Sequence, residues 1–161
     1  MALVSNTLAS ELESMVAVDT EAEGINNFSA AFENYFYDST CGGVTATPGT
    51  LTAASTALKA AMVGVNSAGA AKIAAGIVAF WAVVGASAPT IWVILPPLVS
   101  ATPPPGLGGL SAAIAAAGAA NIAAEASLEQ SAATMATAIH TIMLGGLGVA
   151  TIPPGRTLPI L

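Results

Sequence analysis

Few side chains in this sequence could do chemistry, and their spacing decides what that chemistry would be. Asp19-Thr20-Glu21-Ala22-Glu23-Gly24 matches the opening of a calcium loop, with oxygen donors at positions one, three and five and glycine at six. The twelfth position, which should supply a bidentate Glu, is Ala30. The loop is therefore short of ligands, and its acids read as residues favouring a helix N-terminus. His140 is the single histidine. A general base needs a nucleophile and an orienting group nearby, yet one turn to either side stand Ala136 and Leu144. It reads as a structural or surface residue, with a pH-dependent interface contact as the alternative. The double-glycine strings at 106–109 and 145–148 miss the phosphate-loop spacings, and no Lys-Ser/Thr follows them. Cys41 is alone, so it has no internal disulfide partner. The chain is expected to be non-enzymatic, with no metal and no cofactor.

The composition points to packing instead. The chain has 161 residues, enough for one domain with a core of its own. It is 55% hydrophobic and only 7% charged, against about 25% charged in an average soluble domain. So few charges cannot coat a lone globule, and exposed apolar patches usually mark interfaces. The net charge is −6, seven of the nine acids lie before residue 40, and Lys59, Lys72 and Arg156 are the only Lys and Arg residues. No phosphate-binding patch can form from these, which excludes nucleic acid as a partner. The N-terminus lacks a basic n-region and carries Glu11 and Glu13, so no secretory signal is expected there.

The elements that must position these residues are mainly α-helical. Leu8, Leu12, Met15 and Val16 recur at helical spacing over 3–17. Thr20 and Glu23 form a capping-box pattern for a second helix, whose stripe is Ile25, Phe28, Phe32, Tyr35 and Phe36 and which Cys41-Gly42-Gly43 should stop. Thr47-Pro48 is read as the start of a third helix, with Leu51, Leu58, Met62 and Val65 on one face and a break near residues 64–69. Ile73, Ile77, Phe80, Trp81 and Val84 continue the stripe to Ala88, where Pro89 should end it. Residues 90–99 read as an extended or edge segment because of Pro96-Pro97. After the turn Thr102-Pro103-Pro104-Pro105-Gly106, one long helix is expected over about 107–144, closed by Gly145-Gly146. A proline-punctuated extended tail follows.

On that long helix Ile114, Asn121, Leu128, Met135 and Ile142 recur every seven residues. Such a repeat predicts a coiled-coil-like seam with identical copies, with Asn121 fixing register or copy number. Phe80 and Trp81 suit the core more than a ligand platform on the spacing of their neighbours. Arg156 in the tail could pair with a carboxylate of another subunit. Glu125 and Glu129, four apart, are either solvated or met by Lys59 and Lys72 from the other helix or another copy. The strings ATPG at 46–49, ATPPPG at 101–106 and ATIPPG at 150–155 each edge an alanine-rich helix. They are either generic turn punctuation or traces of a duplicated unit. The resulting division is an acidic N-terminal helical part (1–45), a helical hairpin core (46–150) and an extended C-terminal arm (151–161) expected to dock on an adjacent protein.

The uncharged window from Ile73 to Leu95 has 23 residues, long enough to cross a bilayer. Ser87, Pro89 and Thr90 interrupt it, and the nearly absent positive-inside signal argues against a span. A membrane-inserted helical hairpin, holin-like or pore-forming, is the alternative function. The short strings MALVSNTLASELESM, KIAAGIVAFWAVV, ATPPPGLGGL, ATAIHTIM and IPPGRTLPIL are spread from residue 1 to residue 161. Together they resemble small alanine-rich virion proteins of contractile-tailed bacteriophages. The resemblance implies a multi-copy structural component of the tail or baseplate, assembled in the host cytoplasm. Its partners would be identical copies and neighbouring virion proteins. It carries no catalytic residues to transfer.

Overall fold

The computed structural model describes residues 5–15, 20–95, 97–150 and 157–161. The aromatic stripe of the second helix lies at the centre of its core. Helix α2 (Glu21–Tyr37) buries Ile25, Phe28, Phe32, Tyr35 and Phe36. Thr20 starts it with an extended backbone, and its Oγ1 accepts from the Glu23 N–H at 3.2 Å, satisfying one of the orphan donors of a helix start. The Phe36 ring centroid lies 5.0 Å from that of Phe80, 5.3 Å from Trp81 and 5.9 Å from Trp92, in the edge-on and tilted arrangements aromatic quadrupoles favour. Helix α1 (Ser5–Ser14) buries Leu8 and packs against both α2 and the C-terminal helix spanning residues 128–143. It is fastened by Thr7 Oγ1 to Asp38 Oδ2 and by Asn34 Nδ2 to Glu11 Oε1, each at 3.1 Å.

The chain leaves α2 at Tyr37, earlier than the Cys41-Gly42-Gly43 stop expected from sequence. Those residues instead make a hairpin of β1 (Thr40–Cys41) and β2 (Val44–Thr45). Gly42 and Gly43 both have positive φ, as a tight two-residue hairpin turn requires. Thr47-Pro48 does not open the next helix either. Residues 47–50 form a turn, and α3 (Thr52–Met62) follows with Leu51 at its cap and no side-chain cap bond.

Helix α4 (Val65–Ile91) begins inside the expected break at 64–69, after the left-handed Gly64, and is kinked at the far end of that stretch, Gly69 (φ 34, ψ −111). Its N-terminus is capped from a distance: the Glu21 carboxylate accepts from the N–H of Gly64 at 2.8 Å and of Asn66 at 3.3 Å. Pro89 does not stop α4. It stands in the last turn, where it removes a single backbone donor, and the helix ends two residues later. Helices α3 and α4 pack closely, because a Cβ at Gly76 would lie only 2.7 Å from Met62 Cγ.

Strands β3 (Leu98–Thr102), β4 (Leu147–Ala150) and β5 (Thr157–Pro159) form an antiparallel sheet in that order. β3 is an edge strand, in keeping with Pro96-Pro97 just before it in the sequence. Helix α4 packs against it so tightly that a Cβ at Gly85 would lie 2.9 Å from the Ala101 carbonyl oxygen. The tail pairs with this chain's own β4. Beyond β5, Leu161 and Thr40 exchange backbone bonds at 2.7 and 2.9 Å. Residues 157–161 are thus built into the molecule's own sheets, a correction to the arm expected to dock on a neighbour.

The largest departure from expectation falls at 107–144. A 3-10 turn (Pro105–Gly109), helix α5 (Leu110–Ala123) and helix α6 (Leu128–Met143) replace the single helix. Helix α5 ends in a Schellman motif: Ala126 N–H donates to Asn121 O at 3.0 Å and Glu125 N–H to Ile122 O at 3.2 Å, with Glu125 left-handed (φ 50). A capping box then starts α6, with Ser127 Oγ accepting from the Gln130 N–H at 3.2 Å and Gln130 Oε1 from the Ser127 N–H at 3.0 Å. The architecture is mainly α, as expected: six helices among the described residues with two small sheets. One buried cluster runs from Leu8 to Ile160 and joins all three segments of the chain.

Candidate functional site

Several of the side chains capable of chemistry are engaged in holding the fold. His140, in the last turn of α6, places Nδ1 2.9 Å from the Tyr35 hydroxyl of α2, and the two rings meet edge-on. Burial lowers the His140 pKa and raises that of Tyr35. This partner comes from a distant helix, which spacing around His140 could not reveal. Glu33 accepts from Ser55 Oγ and, at 3.0 Å, from the Tyr37 hydroxyl, which itself accepts from the Gly49 N–H at 2.8 Å. Burial is the main reason the Tyr37 pKa is raised. This cluster ties α2 to the start of α3.

Asp19 of the calcium-like string lies outside the described residues. Glu21 is committed to the start of α4, so its oxygens do not converge on a cation. Among the described residues, no group of three or more His, Cys, Asp or Glu gathers to hold a metal.

The expected seam residues part company. Ile114, Phe80 and Trp81 are buried in the chain's own core, so they do not face a partner. The Trp81 indole N–H meets Met143 Sδ at 3.2 Å. Asn121 is half-buried and donates from Nδ2 to the Ser131 carbonyl at 3.3 Å, joining α5 to α6 within one molecule. Met135 and Ile142 pack on the core from its margin, while Leu128 is 53% exposed at the start of α6. A hairpin cannot present these five as one stripe. Arg156 lies outside the described residues. Glu125 and Glu129 are exposed at the α5–α6 turn, and among the described residues neither is paired with Lys59 or Lys72. Lys72 lies over Gly64 instead.

What remains is a surface. Helices α5 and α6 enclose an open groove of about 630 Å³, walled by Ala113, Ala116, Ala117 and Ala120 on one side and by residues of 133–142 on the other. No wall residue is charged. The hydroxyls of Thr134, Thr137 and Thr141 each donate at 2.8 Å to the carbonyl four residues back, so their protons are engaged within α6. Only Leu110, Ile114 and Ala117 of α5 are buried, and Ile122 is 82% exposed. The sequence signal was present: small residues at 113, 116, 117 and 120 share one helical face, as do 134, 137, 138 and 141. The continuous seven-residue pattern concealed it. Such a groove can bind an apolar surface. No protein-family profile, curated protein or solved structure matches the chain.

Proposed function

We propose that this protein is a non-enzymatic structural subunit that works in many identical copies. The observation that carries this is the open groove between α5 and α6, whose walls are uncharged and alanine-rich and whose lining residues are mostly exposed. Charged residues are depleted at the centre of subunit contacts, and exposed apolar area of this kind is normally covered by protein. The resemblance to alanine-rich virion proteins of contractile-tailed phages makes a tail or baseplate component the setting we favour. Identical copies and neighbouring virion proteins would then be the partners. The test is to recover the protein from purified particles: a fixed stoichiometry to the other tail proteins is expected, and its absence from washed particles contradicts the virion setting.

A specific observation favours a second reading, a membrane-inserted hairpin. The segments Val65–Ile91 and Pro105–Ala123 are both long and apolar enough to cross a bilayer, with only 33% and 17% of their most apolar windows buried. Against insertion stands the role of α4. Its Ile77, Phe80, Trp81, Val84 and Ile91 are at the heart of the core, each contributing about 1.5–3 kcal/mol by burial. Moving α4 into lipid would dismantle that core. Flotation with vesicles separates the two readings, because a subunit of a protein assembly stays in the aqueous fraction.

A further inference from the structure

We infer that the groove between α5 and α6 is filled by α5 of a second copy of this chain, laid antiparallel, so that two hairpins embrace across a two-fold axis. Resting on the multi-copy function proposed above, this narrows it to one face and one occupant. The walls run over 113–120 of α5 and 133–142 of α6, about two to three helical turns at 1.5 Å per residue. An extended peptide in this groove would bring backbone N–H and C=O groups to walls that offer them few partners, since the threonine protons are engaged. A helix satisfies its own backbone, so the occupant is helical. It must also be uncharged, with side chains small enough to enter between alanines.

This chain carries such a helix beside the groove. Helix α5 has no charged residue, and Ala112, Ala115, Ala119, Ile122 and Ala123 are exposed along it. The wall residues 113, 116, 117 and 120 and the exposed residues 112, 115, 119, 122 and 123 lie on neighbouring faces of the one helix, so each copy offers both a groove and an insert, the self-complementarity a two-fold contact requires. Charge sets the direction. Glu125 and Glu129 stand exposed at the turn end of the hairpin, whereas the opposite end, Pro105–Gly109, has no charge. An antiparallel pair places each acidic turn against the partner's neutral end; a parallel pair would bring four carboxylates together.

The test uses the full chain in detergent-free buffer. Ala120→Glu puts a charge on an exposed wall position, where the monomer tolerates it; Val63→Glu, at a site 60% exposed outside the groove, is the control. Sedimentation velocity should show self-association of the unaltered chain and of V63E. A120E should self-associate about a hundredfold more weakly, with an unchanged circular dichroism spectrum. For direction, A112C mixed with A123C should cross-link, and A123C alone should not. Association that survives A120E overturns the groove contact and leaves the multi-copy function standing. A chain that remains monomeric at every concentration overturns both. Binding to neutral phosphatidylcholine vesicles without self-association makes lipid the occupant and overturns the inference, as does self-cross-linking of A123C.

Discussion

Glu125 holds a left-handed backbone at the C-terminus of α5, a place where helices usually set glycine. A side chain with a Cβ strains there by about 1–2 kcal/mol, partly offset by glycine's greater freedom in the unfolded chain. Glu125→Gly is therefore expected to raise stability by about 0.5–1 kcal/mol, read as a higher denaturant midpoint at constant slope. Gly148 shows the opposite constraint. A Cβ there would lie 2.6 Å from Cys41 Sγ and 3.0 Å from Leu98 Cδ2, so Gly148→Ala should cost about 1–3 kcal/mol by overpacking. Adding Cys41→Ala should recover part of that loss, a non-additivity a double-mutant cycle measures. His140 has a folded pKa below its ordinary 6.5 because burial disfavours the charged ring. The unfolded chain then binds the proton more readily. The stability tied to neutral His140 is present above pH 6.5 and declines as pH falls through the lowered value. Thermal melts across that window should lose this component in His140→Phe. At this scale much is legible in the sequence: the Thr20 cap and the aromatic stripe of α2 rest on neighbours along the chain. The Tyr35–His140 bond and the Glu21 cap of α4 do not, since each joins residues that only the fold brings together.

Among elements, the α5–α6 turn decides what the molecule offers to others. Five apolar or amide positions seven apart fit a single helix, but they fit two helices of a hairpin as well when the interruption lies between them. The interruption had a local signature, Ser127 followed three residues later by Gln130, which is a helix start in its own right. Alanine's high helix propensity through 115–126 masked it, because propensity carries no information about where a chain reverses. Ser127→Ala is expected to cost about 1 kcal/mol, measured by chemical denaturation. The tail illustrates the same limit. The prolines predict an extended tail, but the pairing of residues 157–159 with β4 depends on where the hairpin returns the chain.

For the molecule as a whole, the core is complete and the coat is not. Aromatic residues of α2 and α4 fill the interior, and residues 157–161 close the sheets; among the described residues, exposed aliphatics such as Val63, Val78, Val93, Leu95 and Ile122 are spread over several elements, while the uncharged groove lies between α5 and α6. Sparse charge alone raises the expectation of a covered surface; the face we propose for it rests on the division of 107–144 into two helices. Native mass spectrometry of the unaltered chain at micromolar concentration, without detergent, tests the central claim most directly. Masses at multiples of 15.7 kDa are predicted; a single species at 15.7 kDa would contradict an assembly built through this surface.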